Sequence, residues 1–277
     1  MRGRSDPRDD GQWQDAREDL RRPRSSEARS RETRGAPLPS LDSLDDRRDQ
    51  VSAGRSTYRL RASDVHLLRT LGTFRAVDER DLAPDYPTLH ADVRVLRDQG
   101  LVTRVSTHTE GARRRADLLT LTRAGRDLLR ANDGHDQRYY AGVGKDRELE
   151  HDAQLYRVYR AHVEHLRARD AQVERVQLDH ELKRALWQRQ HATLATADRA
   201  AALGLPVDAH GRVHLPDLQL VVREADGGVT RCNVEYVTRH YTAAAVRAKV
   251  AAGFVVYRDA PARGGWHEDR ERRLVSL

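Results

Sequence analysis

The sequence predicts an α+β chain of two folded units, and three observations carry that expectation. Apolar residues between 58 and 133 change from helical to alternating spacing and back. Residues 134–170 hold one long helical stripe, and residues 171–277 mix strand-like and helix-like segments. At 277 residues the chain is long enough for two modest cores.

Residues 1–57 read as a disordered charged tail. They mix Arg, Asp, Glu and Ser with Pro and Gly and hold almost no aliphatic cluster, so burial cannot offset the entropy of ordering. Their opposite charges nearly cancel, which makes the tail a poor DNA-binding arm.

From Tyr58 the pattern changes. Ser63 is the expected cap of a helix whose core face is Val65, Leu67, Leu68, Leu71 and Phe74. A short helix follows Asp78, and a third runs from about Pro87 to Gln99, stopped by Gly100. In that third helix Leu89, Val93 and Leu96 share one face. Thr88, His90, Arg94 and Arg97 are left for the opposite and flanking faces. Residues 101–105 and 117–122 predict two strands joined by a basic loop with Gly111, Arg113, Arg114 and Arg115, and residues 124–130 a closing helix.

Three helices, a hairpin and a helix make a winged helix-turn-helix, so residues 58–133 are expected to bind double-stranded DNA. Thr88, His90, Arg94 and Arg97 would meet base edges and phosphates in the major groove, and Arg113, Arg114 and Arg115 the backbone or minor groove from the wing tip. Three adjacent arginines repel one another unless a polyanion relieves them.

Residues 134–170 read as a helical connector with the stripe Leu155, Val158, Tyr159, Val163 and Leu166. His162 and His165 are expected on its solvated face. The last unit, 171–277, opens with a strand at 171–178 and a helix from Asp179 through the Ala-rich 190s. Strands follow near 212–215, 217–223 and 229–237, with Gly227 and Gly228 turning the hairpin. A helix from Thr242 to Ala252 ends at Gly253, and 254–257 is another strand. That α-β-β-β-α-β order is the core of the PD-(D/E)xK nuclease fold.

Two carboxylates fit that fold's chemistry. Asp217 follows Pro216 at a strand start, and Glu235 lies on the next strand. A Mg²⁺ or Mn²⁺ ion held by these two would keep other positions for water and phosphate. The lysine that usually stands two residues after the second acid is Val237 here. Either Lys249 substitutes from the next helix, or Asn233 takes the second-acid position and Glu235 the lysine's. Glu181 is the candidate third carboxylate from the first helix of the unit. Only Lys145, Lys183 and Lys249 are lysines among 50 basic residues, and lysine supplies a compact point charge where arginine supplies a planar fork. Tyr236 and Tyr241 are candidate nucleophiles for a covalent nicking reaction, but tyrosines beside strands read first as core.

The net charge is +7 and the pI about 9.8, favouring polyanionic partners. One cysteine, Cys232, forms neither an internal disulfide nor a zinc cluster, and the 13 histidines show no metal-ligand spacing. With no signal peptide and no apolar run of about 20 residues, the expectation is a cytoplasmic protein with no membrane contact.

The segments 147–156 (RELEHDAQLY), 178–184 (LDHELKR), 213–217 (VHLPD), 233–241 (NVEYVTRHY) and 249–254 (KVAAGF) resemble bacterial replication-relaxation proteins of plasmids and integrated mobile elements. The resemblance covers about 58–257 and implies DNA binding with a nuclease-like second domain connected to replication or mobilisation. In that pattern an acid is expected where Asn233 stands. The reading is a DNA-binding protein acting as a metal-dependent endonuclease or nickase. The alternative is a non-catalytic regulator or plasmid-maintenance factor whose degenerate nuclease fold serves homodimerisation or binding to mobile-element proteins.

Overall fold

The computed structural model describes residues 47–108, 115–144, 146–187, 195–238, 241–258 and 274–276. Among these the chain is mixed α+β, with eight helices and three sheets. Strands β1 (Asp49–Ala53) and β2 (Ser56–Leu60) form an antiparallel hairpin turned at Gly54, whose φ is +60°. This corrects the tail boundary at 57. Val51 and Leu60 are fully buried and Tyr58 packs beside them, three alternating apolar positions too sparse to register as a cluster in sequence.

Helix α1 (Ala62–Phe74) buries Val65, Leu67, Leu68, Leu71 and Phe74 as spaced. Its start differs from expectation: Ser63 is inside the helix, and the cap is made by the Asp64 carboxylate, which accepts the Arg61 N–H at 3.0 Å. Strand β3 (Val77–Asp78) leads into α2 (Glu79–Leu82), capped by the Asp78 carboxylate on the Arg80 N–H at 2.9 Å. Helix α3 (Leu89–Asp98) stops where Gly100 adopts φ +71° and the Leu101 N–H returns to the Leu96 carbonyl at 2.9 Å, a Schellman closure. Strands β4 (Val102–His108) and β5 (Arg115–Leu121) pair antiparallel, and the sheet order is β3-β5-β4. Helix α4 (Arg123–Asn132) closes the unit, its first turn capped by the Thr122 hydroxyl.

The second sheet has the order β10-β9-β8-β7-β6, from β6 (Gln172–Leu178), β7 (Leu218–Arg223), β8 (Val229–Val237), β9 (Val255–Arg258) and β10 (Leu274–Ser276). Pairs β6/β7 and β7/β8 are antiparallel; β8/β9 and β9/β10 are parallel. Helices α6 (Asp179–Trp187) and α7 (Thr196–Ala202) fall between β6 and β7, and α8 (Ala243–Ala251) between β8 and β9. Residues 212–215 are not a strand, Val213 making only an isolated bridge to Val207. The first strand of the trio is therefore β6, and the helix before it is α5 (Asp146–Arg167), not the helix starting at 179.

Helix α5 is more than a connector. Leu155, Val158 and Leu166 lie in one continuous core that includes Leu71 and Phe74 on one side and Leu220 and Val234 on the other. Leu149 and Ala153 pack on Ala76 and Leu118. His162, expected on a solvated face, is 7% exposed: Nδ1 lies 2.9 Å from the Tyr257 hydroxyl and Nε2 3.3 Å from Cys232 Sγ. Burial lowers its pKa to about 4, so the ring is neutral. His165 is exposed as expected. No described helix is long and apolar enough to cross a membrane.

A shared core has a measurable consequence. Replacing Leu155 by Ala removes buried volume where both units meet, and its expected cost is about 2–5 kcal/mol. Urea unfolding should show one transition shifted as a whole; two separate transitions, only one of them shifted, would contradict the shared core.

Candidate functional site

The β7/β8 register pairs Leu218 with Val234 and so sets Asp217 alongside Glu235. The Asp217 N–H donates to Glu235 Oε2 at 3.3 Å, and the Tyr236 N–H donates to Asp217 Oδ2 at 2.8 Å. Val234 and Tyr236 face the core shared with α5, while Glu235, one residue out of phase, reaches the opposite side beneath α8.

Helix α8, capped by the Thr242 hydroxyl on the Ala245 N–H at 3.2 Å, carries Lys249 to this point. Lys249 Nζ is 2.8 Å from Glu235 Oε1, donates to the Leu215 carbonyl at 2.9 Å, and sits 4.5 Å from the Phe254 ring centroid. The Tyr241 hydroxyl donates to the same Glu235 oxygen at 3.0 Å, so Tyr241, 38% exposed, is a site neighbour and not the core residue its position suggested.

Of the two candidates, Lys249 and not Asn233 lies against Glu235. Asn233 is engaged elsewhere: its Oδ1 accepts from Gln219 Nε2 at 2.9 Å and its Nδ2 donates to the Gly204 carbonyl at 3.0 Å. Val237 is packed with Phe254 and Val256.

A residue that sequence reasoning missed completes the cluster. His151 of α5 places Nε2 3.3 Å from Asp217 Oδ1, with Nδ1 3.9 Å from Asp152. Burial opposes its charge, but the carboxylates of Asp152 and Asp217 outweigh burial and raise its pKa to about 10. Glu235 is 2% exposed; burial and then the Asp217 charge push its carboxyl up, against the pull of Lys249 and Tyr241.

Glu181, the expected third carboxylate, is held elsewhere by Tyr140 at 2.9 Å and Arg175 at 2.6 Å. The cause is helical phase. The Asp179 N–H bonds the Asp217 carbonyl at 3.0 Å, and two residues further round the helix a side chain has turned by about 200°. The residue that does meet Asp217 is His151, on the helix preceding β6.

Asp217 and Glu235 are hard oxygen donors whose closeness raises the Glu235 carboxyl. Among the described residues no group of three His, Cys, Asp or Glu has metal-holding geometry. All four carboxylate oxygens of the pair already face protein donors: His151 and the Tyr236 N–H on Asp217, Lys249, Tyr241 and the Asp217 N–H on Glu235.

On α3 the expected faces are observed. Leu89, Val93 and Leu96 are buried, while His90, Arg94 and Arg97 are exposed. Arg94 and Arg97 form no ion pair among the described residues; His90 Nδ1 lies 3.1 Å from Glu79 Oε1. The Thr88 hydroxyl is already used, accepting from Arg61 at 3.2 Å and donating to Asp92 at 2.8 Å. Asp92, 1% exposed, also pairs with Arg61, and this unanticipated contact fixes the start of α3. Arg113 and Arg114 lie outside the described residues, and Arg115 opens β5. The sequence matches no known protein family and no curated protein.

Two measurements probe the site's electrostatics. Lys249→Met leaves the buried Glu235 without its cation and should cost about 3–5 kcal/mol, most of it regained on adding Glu235→Gln. If the double variant is no more stable than the single one, the ion pair is not what Lys249 contributes. His151, with its pKa raised from 6.5 to about 10, adds stability that is complete below pH 6.5 and is lost as pH rises through 10. The stability gap between wild type and His151→Asn, read by urea titration, should narrow over that window; a constant gap would mean the imidazole is uncharged.

Proposed function

We propose that this protein binds duplex DNA through α3 and the β4–β5 hairpin and hydrolyses a phosphodiester bond at the Asp217–Glu235–Lys249 cluster, with Mg²⁺ or Mn²⁺ as cofactor. The observation that carries this reading is the convergence of two acids and one of only three lysines at a single strand end. The element order of the first unit, with sheet order β3-β5-β4, supports a winged helix-turn-helix. The order α5-β6-β7-β8-α8-β9, with α6 and α7 inserted between β6 and β7 and the pairing antiparallel then parallel, supports a PD-(D/E)xK-type core.

In this reading Asp217 and Glu235 would hold the cation, whose chemistry is polarisation of a phosphate oxygen and a lowered pKa for bound water. Lys249 orients Glu235 and adds positive charge facing the phosphate, and His151 fixes the Asp217 carboxylate. His90, Arg94 and Arg97 hold the duplex. The resemblance to replication-relaxation proteins adds a role in the replication or mobilisation of a plasmid or mobile element.

A second reading draws on a different observation. His151 and Lys249 already balance the two acids, and no third ligand stands with them among the described residues. This favours a regulator whose second unit binds a partner, including a second copy of itself.

Supercoiled plasmid incubated with the protein and Mg²⁺ or Mn²⁺ separates the two. Nicking or cutting that disappears in Asp217→Ala and Glu235→Ala is the expected result. No conversion above the Asp217→Ala control would leave the regulator. In either case Arg94→Ala and Arg97→Ala should each lower the slope of log affinity against log salt by about 0.9; unchanged slopes would remove α3 from the interface.

A further inference from the structure

One feature is left unused by these roles: a cleft of about 430 Å³ between α1, α5 and β6. That volume falls within the range of small-ligand sites, which favour junctions between folded units. His66 and Arg69 of α1 line one side and Tyr159, Arg160, Val163 and Arg167 of α5 the other. Both aromatic groups are backed by a second ring: His66 lies 5.4 Å from Tyr86, and Tyr159 4.9 Å from Phe74. Rings held this way offer oriented faces to a flat ligand at little entropic cost.

The polar groups indicate the ligand's charge. Arg69 is committed to Asp133 by hydrogen bonds of 3.2 and 3.0 Å, and Arg160 to Asp85 at 2.7 Å. Arg167 is exposed and has no ion-pair partner among the described residues. On the acidic side, Glu174 is drawn off by Arg223 at 2.7 Å, while Glu164 stays uncommitted three residues from Arg167. One free guanidinium with an acid close by suits a single phosphate or carboxylate group and disfavours a polyphosphate. His66 makes no hydrogen bond among the described residues, so both ring nitrogens remain for a ligand's polar edge.

We propose that this cleft binds a planar ring carrying one acidic group, the chemistry of a nucleoside monophosphate, with the ring against His66 and Tyr159 and the acidic group on Arg167. A ligand there touches α1 and α5 together and so bridges the two units. The site is separate from the acid pair and from α3 and does not depend on the DNA reading.

The test is calorimetric titration of the full chain with AMP, GMP, CMP and UMP in turn. At least one should bind with Kd below about 1 mM, and Arg167→Glu, an exposed change, should weaken it about tenfold or more. Val163→Trp, which fills the cleft, should abolish binding, with circular dichroism checking its fold; if it unfolds, Arg167→Glu decides alone. Asp217→Ala and Arg94→Ala should bind as wild type does. The proposal is overturned if none of the four nucleotides binds at about 5 mM, well above that Kd. It is also overturned if affinity survives Arg167→Glu, or is lost in Asp217→Ala or Arg94→Ala, which would assign the ligand to the acid pair or to α3.

Discussion

The architecture depends on one helix being buried on two sides at once. Helix α5 carries polar residues at enough positions to look half-solvated, yet it covers β3 and α1 with one stripe and the inner face of β6–β9 with another. That double burial turns two small cores, each marginal by itself, into one continuous core. It also sets how the acid pair is held. Because α5 crosses the end of β7, His151 meets Asp217 from the core side while Lys249 meets Glu235 from the other, and the two acids are gripped between helices on opposite faces of the sheet.

Electrostatics follow from that placement. A carboxylate as buried as Glu235 is costly unless its charge is matched, and here one oxygen takes both the ammonium and the Tyr241 hydroxyl while the other takes the Asp217 N–H. A similar economy holds α3, where buried Asp64 and Asp92 share Arg48 and Arg61. In both places partly buried arginines or a lysine anchor buried acids. The exposed residues beyond them, Arg94 and Arg97, stay uncommitted.

Much of this was legible in the sequence, because periodicity reports burial directly. The faces of α1 and α3, the Gly100 stop, the β4–β5 and β7–β8 hairpins and the Gly253 stop all follow from local spacing. Asp217, Glu235 and Lys249 were found because strand alternation and helix phase are local rules. What failed was non-local. Because 212–215 is not a strand, the helix before the three antiparallel strands is α5 and not the one from Asp179, and it is His151 of α5 that reaches Asp217 while Glu181 pairs with Arg175. The β1–β2 hairpin is hidden because its apolar content is three alternating residues, buried by packing into the large core that includes Leu128 and Leu129 of α4. His162 looked like surface because its partners, Tyr257 and Cys232, lie 95 and 70 residues away.

The choice of lysine at 249 fits the space it occupies. This chain uses arginine almost everywhere for positive charge, and an arginine fork needs a planar slot with several acceptors arranged around it. At the end of β7 there is one carboxylate oxygen, one carbonyl and the face of Phe254, all within reach of a single point. A compact ammonium satisfies all three, gaining a cation–π contact as well as the ion pair.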